Sequence, residues 1–311
     1  MNLNQLRVFY AVAKEESFSV AAKNLYVTQP AVTIQVQLLE DYFGVKLVQR
    51  DGRKIRLTEA GKALYSYAEQ IIKMAGEAEN IMADFKSLDQ GLLKIHTTRT
   101  IAKYYIPEIL SLFVEKHPNI NINLMAGNSQ EALDGLLNFT SDIAIIGRID
   151  YPSKLEVIPI FTDELVLIVS PNNHLFEKGE IEIKELHGKP FIIREEGSGT
   201  RKLLLELFEK EGISPNIVME LGNSDTIKEL VNKGVGLSVL TWKMVEDDVS
   251  KGLLRAIRLC NKKLMLTFDI IFHKSRNSSS LIHAFKDLSL DLINQNQIKF
   301  SKLNTWNAYK K

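Results

Sequence analysis

Gln29, Thr33 and Gln37 recur every four residues, with Pro30 beside the first of them. That spacing puts amide and hydroxyl groups on one face of a helix, where they can meet base edges in a DNA major groove. Ile34 adds an apolar side chain of the kind that contacts a thymine methyl. A second group is cationic. Between residues 42 and 58, Lys46, Arg50, Arg53, Lys54 and Arg56 face Asp51 alone, a local +4 in a chain whose net charge is +1. Arg50, Arg53 and Lys54 near the tip of this run suit phosphate contact, which positions a protein on DNA without reading its sequence. A third group is split between two distant loops, Thr98-Arg99-Thr100 and Ser198-Gly199-Thr200. Each follows a predicted strand and opens a predicted helix. Hydroxyls beside a helix N-terminus suit an oxyanion or carboxylate, and Arg99 would add a full positive charge.

Positioning these groups requires particular elements. Residues 17–40 read as two short helices joined by a tight turn, a helix-turn-helix. Ser17 or Ser19 can cap the first helix, and Ser19 lies close enough in sequence to join the candidate DNA contacts. Leu25 and Val27 bracket the turn as expected buried plugs. Thr28 caps the second helix, where Pro30 is tolerated because first-turn N–H groups have no intrahelical partner. Val32, Val36 and Leu39 form its core stripe, and Leu6, Phe9, Tyr10 and Ala13 mark an opening helix behind the motif. Val45–Arg50 and Arg53–Leu57 flank Asp51-Gly52 as a hairpin, which makes the cationic run the wing of a winged helix. Thr58-Glu-Ala-Gly61 then starts a long helix to about Ser87. Its Leu64, Ala68, Ile71, Ala75, Ala78, Met82 and Phe85 follow a heptad seam, expected to pair two copies, since a helix-turn-helix reading a palindrome needs a two-fold partner.

From Leu92 strands and helices alternate. Strands are expected at Leu92–His96, Asn121–Ala126, Asp142–Ile146, Leu155–Phe161, Leu165–Ser170, Phe191–Ile193, Ile217–Glu220, Val235–Leu240 and Met265–Phe272. Helices are expected at Ile101–Lys116, Gln130–Asn138, Thr200–Glu211, Thr226–Lys233 and Leu281–Asn294. The pattern predicts an α/β architecture with mostly parallel sheets, divided into two lobes. The two hydroxyl-rich loops would then converge on one cleft at strand carboxyl ends. Asn128-Ser129 and Ser224-Asp225 read as plain helix caps, and His96 as the histidine able to border the cleft.

Composition narrows the classes further. A length of 311 residues implies two or three domains, and near-neutral charge argues against a wholly basic nucleic-acid binder. The single cysteine, Cys260, excludes an intramolecular disulfide, and six histidines lack metal-ligand spacing, so no metal or cofactor is expected. The N-terminus lacks an export profile and no apolar run approaches bilayer length, so a cytoplasmic protein without membrane contact is expected. An enzyme using Ser198 lacks both the nucleophile-elbow spacing and a general base. A solute-binding module, with ligand capture as its main role, is the second reading; the complete DNA head argues against it.

The chain resembles LysR-type transcriptional regulators over nearly its whole length. Leu6-Arg-Val-Phe9, Ser17-Phe-Ser-Val-Ala-Ala22, Gln29-Pro-Ala-Val-Thr33, Leu39-Glu40, Phe43-Gly44 with Leu47 and Arg50, and Leu57-Thr-Glu-Ala-Gly61 carry the likeness. Ile106-Pro107, Phe113, Pro118, Asp142-Ile-Ala-Ile145 and Gly234-Val-Gly-Leu237 extend it. The resemblance implies a multidomain α plus α/β chain. A winged helix-turn-helix over 1–58 would precede a linker helix and hinge over 59–90. A periplasmic-binding-protein-like effector domain over 91–295 would place lobe 1 at about 91–161 and 266–295, lobe 2 at about 162–265, before a tail at 296–311. It implies a homodimer or homotetramer on an interrupted palindromic promoter site of double-stranded DNA. By position, Thr28, Gln29, Pro30 and Thr33 match the family's recognition-helix contacts, and Arg50 and Arg53 its wing contacts. Thr98, Thr100, Ser198 and Thr200 match its effector-binding hydroxyls. The segment Arg194-Glu-Glu-Gly-Ser-Gly-Thr-Arg201 looks most like the branches controlling sulfur assimilation or carbon fixation, which implies a small anionic effector. Arg99 stands where relatives often carry a small hydroxyl residue and tilts the effector towards stronger negative charge.

Overall fold

A computed structural model describes residues 1–51, 54–84, 91–175, 180–259 and 263–295. Residues 1–83 and 84–311 form two compact units. In the first, α1 (Leu3–Glu15) begins with a reciprocal capping box between Asn2 and Gln5, two bonds of 2.9 Å. Helix α2 (Phe18–Asn24) is capped by Ser17, so the choice left open between Ser17 and Ser19 falls on Ser17. Helix α3 (Gln29–Phe43) has Thr28 at its N-cap and Pro30 in its first turn, but the Thr28 hydroxyl makes no capping bond. Val8, Val12, Ala21, Ala22, Val32 and Val36 interlock as one cluster, which holds the three helices at fixed angles. Leu25 is partly buried against them. Val27, expected as the second plug, is instead 48% exposed and takes no part in this cluster.

Strands β1 (Val48–Asp51) and β2 (Lys54–Leu57) pair antiparallel, with Asp51 opposite Lys54, and form the expected wing. Helix α4 (Glu59–Asp84) starts where the Gly61 N–H donates to Thr58 Oγ1 at 3.0 Å. Its first half belongs to the winged-helix core: Leu64, Tyr65, Ala68 and Ile72 pack with Leu6, Phe9, Leu39 and Leu47. On another face Tyr67, Ile71 and Met74, at steps of four and three, and Met82, about two turns farther on, stay exposed as an apolar stripe. Phe85, the last expected seam residue, lies outside the described residues.

The second unit is built on a mixed eight-stranded sheet with the order β4-β3-β5-β12-β6-β11-β7, and β10 also paired to β6. Strands β3 (Gly91–Thr98), β4 (Ile120–Gly127) and β5 (Ile143–Gly147) are parallel. Strands β6 (Leu155–Val169), β7 (Glu180–Ile181) and β8 (Pro190–Arg194) come next in sequence. Strands β9 (Asn216–Leu221), β10 (Ser238–Thr241), β11 (Arg255–Leu259) and β12 (Met265–His273) follow, β8 pairing with β9 in a separate two-stranded sheet. Helices α5 (Arg99–Tyr104), α6 (Ile106–Lys116), α7 (Ser129–Leu137) and α11 (Ser280–Asn294) flank the first lobe. Helices α8 (Gly199–Glu211), α9 (Ser224–Asn232) and α10 (Trp242–Ser250) flank the second. Alternate residues of β5 serve opposite faces, Ile143 and Ile145 in one cluster, Ala144 and Ile146 in another. This is why that stretch reads as an uninterrupted apolar run.

Three departures from the sequence reading have physical causes. The sheet is not mostly parallel, since β12 runs antiparallel to β5 and β6, and β10 and β11 antiparallel to β6. The two strands expected within 155–170 are one strand. Its polar centre, Thr162-Asp-Glu164, is carried by pairing with Met265–Thr267, and Asp163 accepts from the Lys243 N–H at 3.2 Å. The helix expected over 101–116 breaks at Tyr105 (φ −129°, ψ −40°), because Pro107 has no N–H to give the Lys103 carbonyl and is accommodated instead in the first turn of a new helix.

Candidate DNA-reading face and effector cleft

Within the first unit Ser19, Thr28, Gln29, Pro30, Thr33, Ile34 and Gln37 are all exposed, and α3 carries all but the first two. Ser19 Oγ donates to Gln29 Oε1 at 3.2 Å, so α2 steadies the amide that leads the recognition helix. Thr33 Oγ1 donates to the Gln29 carbonyl at 3.0 Å. With its proton committed inward, Thr33 presents lone pairs and a methyl group outward, suited to an exocyclic amine donor or a thymine methyl. Tyr26, in the turn before α3, is 95% exposed with a left-handed φ of 55°. No sequence signal marked it, since an aromatic residue in a turn reads first as a plug. Arg53 and the side chains of Arg50 and Lys54 lie outside the described residues.

Glu40 joins this face to the wing. It is 6% exposed, accepts from the N–H groups of Leu47 (2.8 Å) and Val48 (3.2 Å), and pairs with Lys46 Nζ at 2.6 Å. Burial alone would raise its pKa. The Lys46 bond and the two backbone donors outweigh that and hold the carboxyl below its ordinary 4.5.

In the second unit the two hydroxyl-rich loops do meet. Thr98, Thr100, Asn128 and Ser129 from the first lobe enclose a cavity of about 20 Å³ with Arg194, Ser198, Gly199, Thr200 and Thr241 from the second. Met244, Leu266 and Phe268 complete it beside the strand crossover. Such a space holds about one water, so the facing loops lie close together. Two glycines allow this close approach. Gly197 has φ +83°, and a Cβ there would lie 2.7 Å from Gln130 Cβ; a Cβ on Gly199 would lie 2.8 Å from the Arg148 carbonyl oxygen. Across the cleft Asn128 Nδ2 donates to the Glu196 carbonyl at 3.3 Å and the Gln130 N–H to Gly197 at 3.1 Å. Lys103 pairs with Asp225 at 2.9 Å, a bond that holds the ammonium pKa above its usual value and the carboxyl below its own.

The cations divide their roles differently from the expectation. Arg99 is 47% exposed at the rim, outside the cavity lining, 3.5 Å from Glu195 Oε1. Arg194, which the sequence reading passed over, is 6% exposed and lines the cavity. Its Nε and Nη2 donate to Glu195 at 2.8 and 3.0 Å, and its Nη1 to Ser224 Oγ at 3.1 Å. Two guanidiniums therefore share one carboxylate, which leaves this cluster a net positive charge. Asn128 caps α7 as expected, whereas Ser129 is the helix's first residue and gives its hydroxyl to the Gly147 carbonyl; both line the cavity. Ser224 anchors Arg194 rather than capping α9, whose cap is Asn223. His96 is not in the lining; it lies beside Gly135, and burial lowers its pKa against a smaller opposing effect of Glu131. Among the described residues no group of acidic, histidine or cysteine side chains is arranged to hold a metal, and no helix is long and apolar enough to cross a membrane.

A winged helix-turn-helix joined to a two-lobed α/β domain with a polar interlobe cavity is the build of a ligand-responsive transcription regulator. Residues 3–62 match the family described as "Bacterial regulatory helix-turn-helix protein, lysR family", and residues 86–293 match "LysR substrate binding domain". The chain belongs to the LysR family of DNA-binding transcriptional regulators, which are not enzymes, and its C-terminal domain is the family's ligand-modulated effector domain. It is 33% identical over 285 residues to the HTH-type transcriptional activator CmpR of Synechocystis, covering 92% of this chain and 93% of that one. It is also 33% identical over 291 residues to a probable RuBisCO transcriptional regulator of Trichormus variabilis, covering 91% and 86%. Carbon-fixation regulators are thus among its relatives. The regulatory domain of Synechocystis CcmR, solved in complex with 2-PG, superposes with a TM-score of 0.61 at 26% identity, covering 66% of this chain and 98% of that one.

Proposed function

We propose that this regulator reads an interrupted palindromic promoter site and that a small anion held between the lobes of residues 91–295 modulates it. The observation that carries the effector assignment is the cavity itself, where Ser198 and Thr200 at the start of α8 stand beside the buried Arg194 guanidinium. A helix N-terminus and a net positive cluster both favour anions. The complex of the related CcmR domain with 2-PG supports that class and makes 2-PG a first probe. On DNA, Gln29, Thr33, Ile34 and Gln37 read the major groove, Ser19, Thr28 and Pro30 set the approach of α3, and Arg50, Arg53 and Lys54 hold phosphates. The exposed Tyr67, Ile71, Met74 and Met82 stripe of α4 supports pairing into a homodimer, and two such pairs would make the tetramer.

Replacing Arg53 with Ala should weaken binding to all sequences and flatten the salt dependence by about one unit of slope. Replacing Thr33 with Ala should leave that slope alone and change base preference at one position by about 1–3 kcal/mol. Anisotropy titrations at several salt concentrations separate the two; variants with the same profile would refute this division of roles.

A further inference from the structure

The cleft hydroxyls are not equivalent. Thr98 Oγ1 accepts the Ile101 N–H, Ser129 Oγ donates to the Gly147 carbonyl at 2.8 Å, and Thr100 Oγ1 lies 3.4 Å from Met244 Sδ. Asn128 spends both ends of its amide, on Glu131 N and the Glu196 carbonyl. Thr241 differs. It is the last residue of β10, 1% exposed, and its Oγ1 is fully buried with no hydrogen-bond partner among the described residues. It is the N-cap residue of α10, but its side chain makes no capping bond. Its backbone is fixed opposite Leu165 of β6, so the side chain is held at the cavity wall by the sheet rather than by a polar contact.

A buried hydroxyl without a partner is unfavourable, and valine would fill the same space without that penalty. The cost is recovered if a bound molecule supplies the partner. We infer that Thr241 is a specificity-determining contact of the cleft: its hydroxyl bonds an oxygen of the bound anion at the wall otherwise formed by Met244, Leu266 and Phe268. This rests on the anion-binding reading of the cleft. The ligand class follows: a small oxyanion with oxygens directed both to the α8 N-terminus and to β10. A ligand presenting only hydrocarbon to β10 would leave Thr241 unpaired and be rejected.

The test is calorimetric titration of the full-length protein with sulfate, inorganic phosphate and 2-PG, each alone. Wild type is compared with Thr241→Val, Thr241→Ser and Thr200→Val. For the tightest of the three anions, Thr241→Val should weaken binding by about 10- to 100-fold, the worth of a hydrogen bond to a charged group. Thr241→Ser, which keeps the hydroxyl, should stay within about threefold of wild type. Without ligand, Thr241→Val should melt no lower than wild type. If Thr241→Val binds like wild type while Thr200→Val loses binding, the cleft reading stands and the role of Thr241 is refuted. If Thr241→Val melts lower without ligand, or Thr241→Ser binds as weakly as valine, the residue is structural and the inference fails. If wild type binds none of the three anions, the anion reading fails and takes this inference with it.

Discussion

Glu40→Ala should destabilise the winged-helix unit by about 2–4 kcal/mol and abolish specific DNA binding at 37 °C, because it strands the buried N–H groups of Leu47 and Val48. The effect is large for its place in the fold. Glu40 is on α3, while Leu47 and Val48 begin the path into the wing, so the carboxylate ties α3 to the β1-β2 hairpin. The Lys46 partner contributes less, since its side chain is 69% exposed and water screens the pair. Glu40→Gln should therefore be milder, keeping an acceptor for the backbone while losing the ion pair. The pH dependence follows from the depressed pKa. The carboxylate's contribution is fully present above the unfolded value near 4.5 and is lost as pH falls through the lower folded value. Calorimetry of the full chain should show wild type and Glu40→Gln furthest apart at neutral pH and converging as pH drops below 4.5. A Glu40→Ala protein with an unchanged first transition would contradict the role given to this residue.

Arg194→Ala should reduce anion affinity on the order of a hundredfold while Arg99→Ala costs less than about tenfold. Both guanidiniums face Glu195, but they differ in solvation: Arg194 is 6% exposed and lines the cavity, whereas Arg99 is 47% exposed at its rim. Removing Arg194 also leaves the Glu195 carboxylate, 17% exposed, beside the incoming anion with only the rim arginine to offset it. The cluster's net positive charge then falls to zero. Arg194→Lys should recover part of the affinity, because one ammonium cannot donate to Glu195 and Ser224 in the same fork geometry. Titration of the two alanine variants decides the matter: equal losses, or a greater loss at Arg99, would mean that the rim arginine swings in to meet the ligand.

The first unit was largely legible because its signals are local. A serine cap, a proline in the first turn and a stripe at Val32, Val36 and Leu39 each specify a helix end or face within a few residues. The effector domain was less so, because its decisive facts are long-range. The dip in hydropathy at Thr162–Glu164 reads as a break, yet pairing to β12 carries one strand through it. Helix α10 went unrecognised because Glu246-Asp-Asp248 hides the buried face formed by Trp242, Val245 and Val249. Local pattern also identified Asn128 correctly as a cap without showing that the capped helix end faces a cavity. The same limit governs the arginines. Position in a loop suggested Arg99, and only the fold, which buries β8 from Phe191 to its last residue, shows that Arg194 is the buried one.

The central claim is that one chain couples sequence-specific DNA binding to an anion in its cleft. Anisotropy titration of the full-length protein at one fixed salt concentration, on a fragment from upstream of its own gene and on a scrambled fragment of equal length, with and without saturating 2-PG or phosphate, tests it most directly. The account predicts at least about a thousandfold preference for the upstream fragment, and an affinity or footprint that shifts with the anion in wild type but not in Arg194→Ala. Equal affinity for the two fragments, or an anion response that survives Arg194→Ala unchanged, would contradict it.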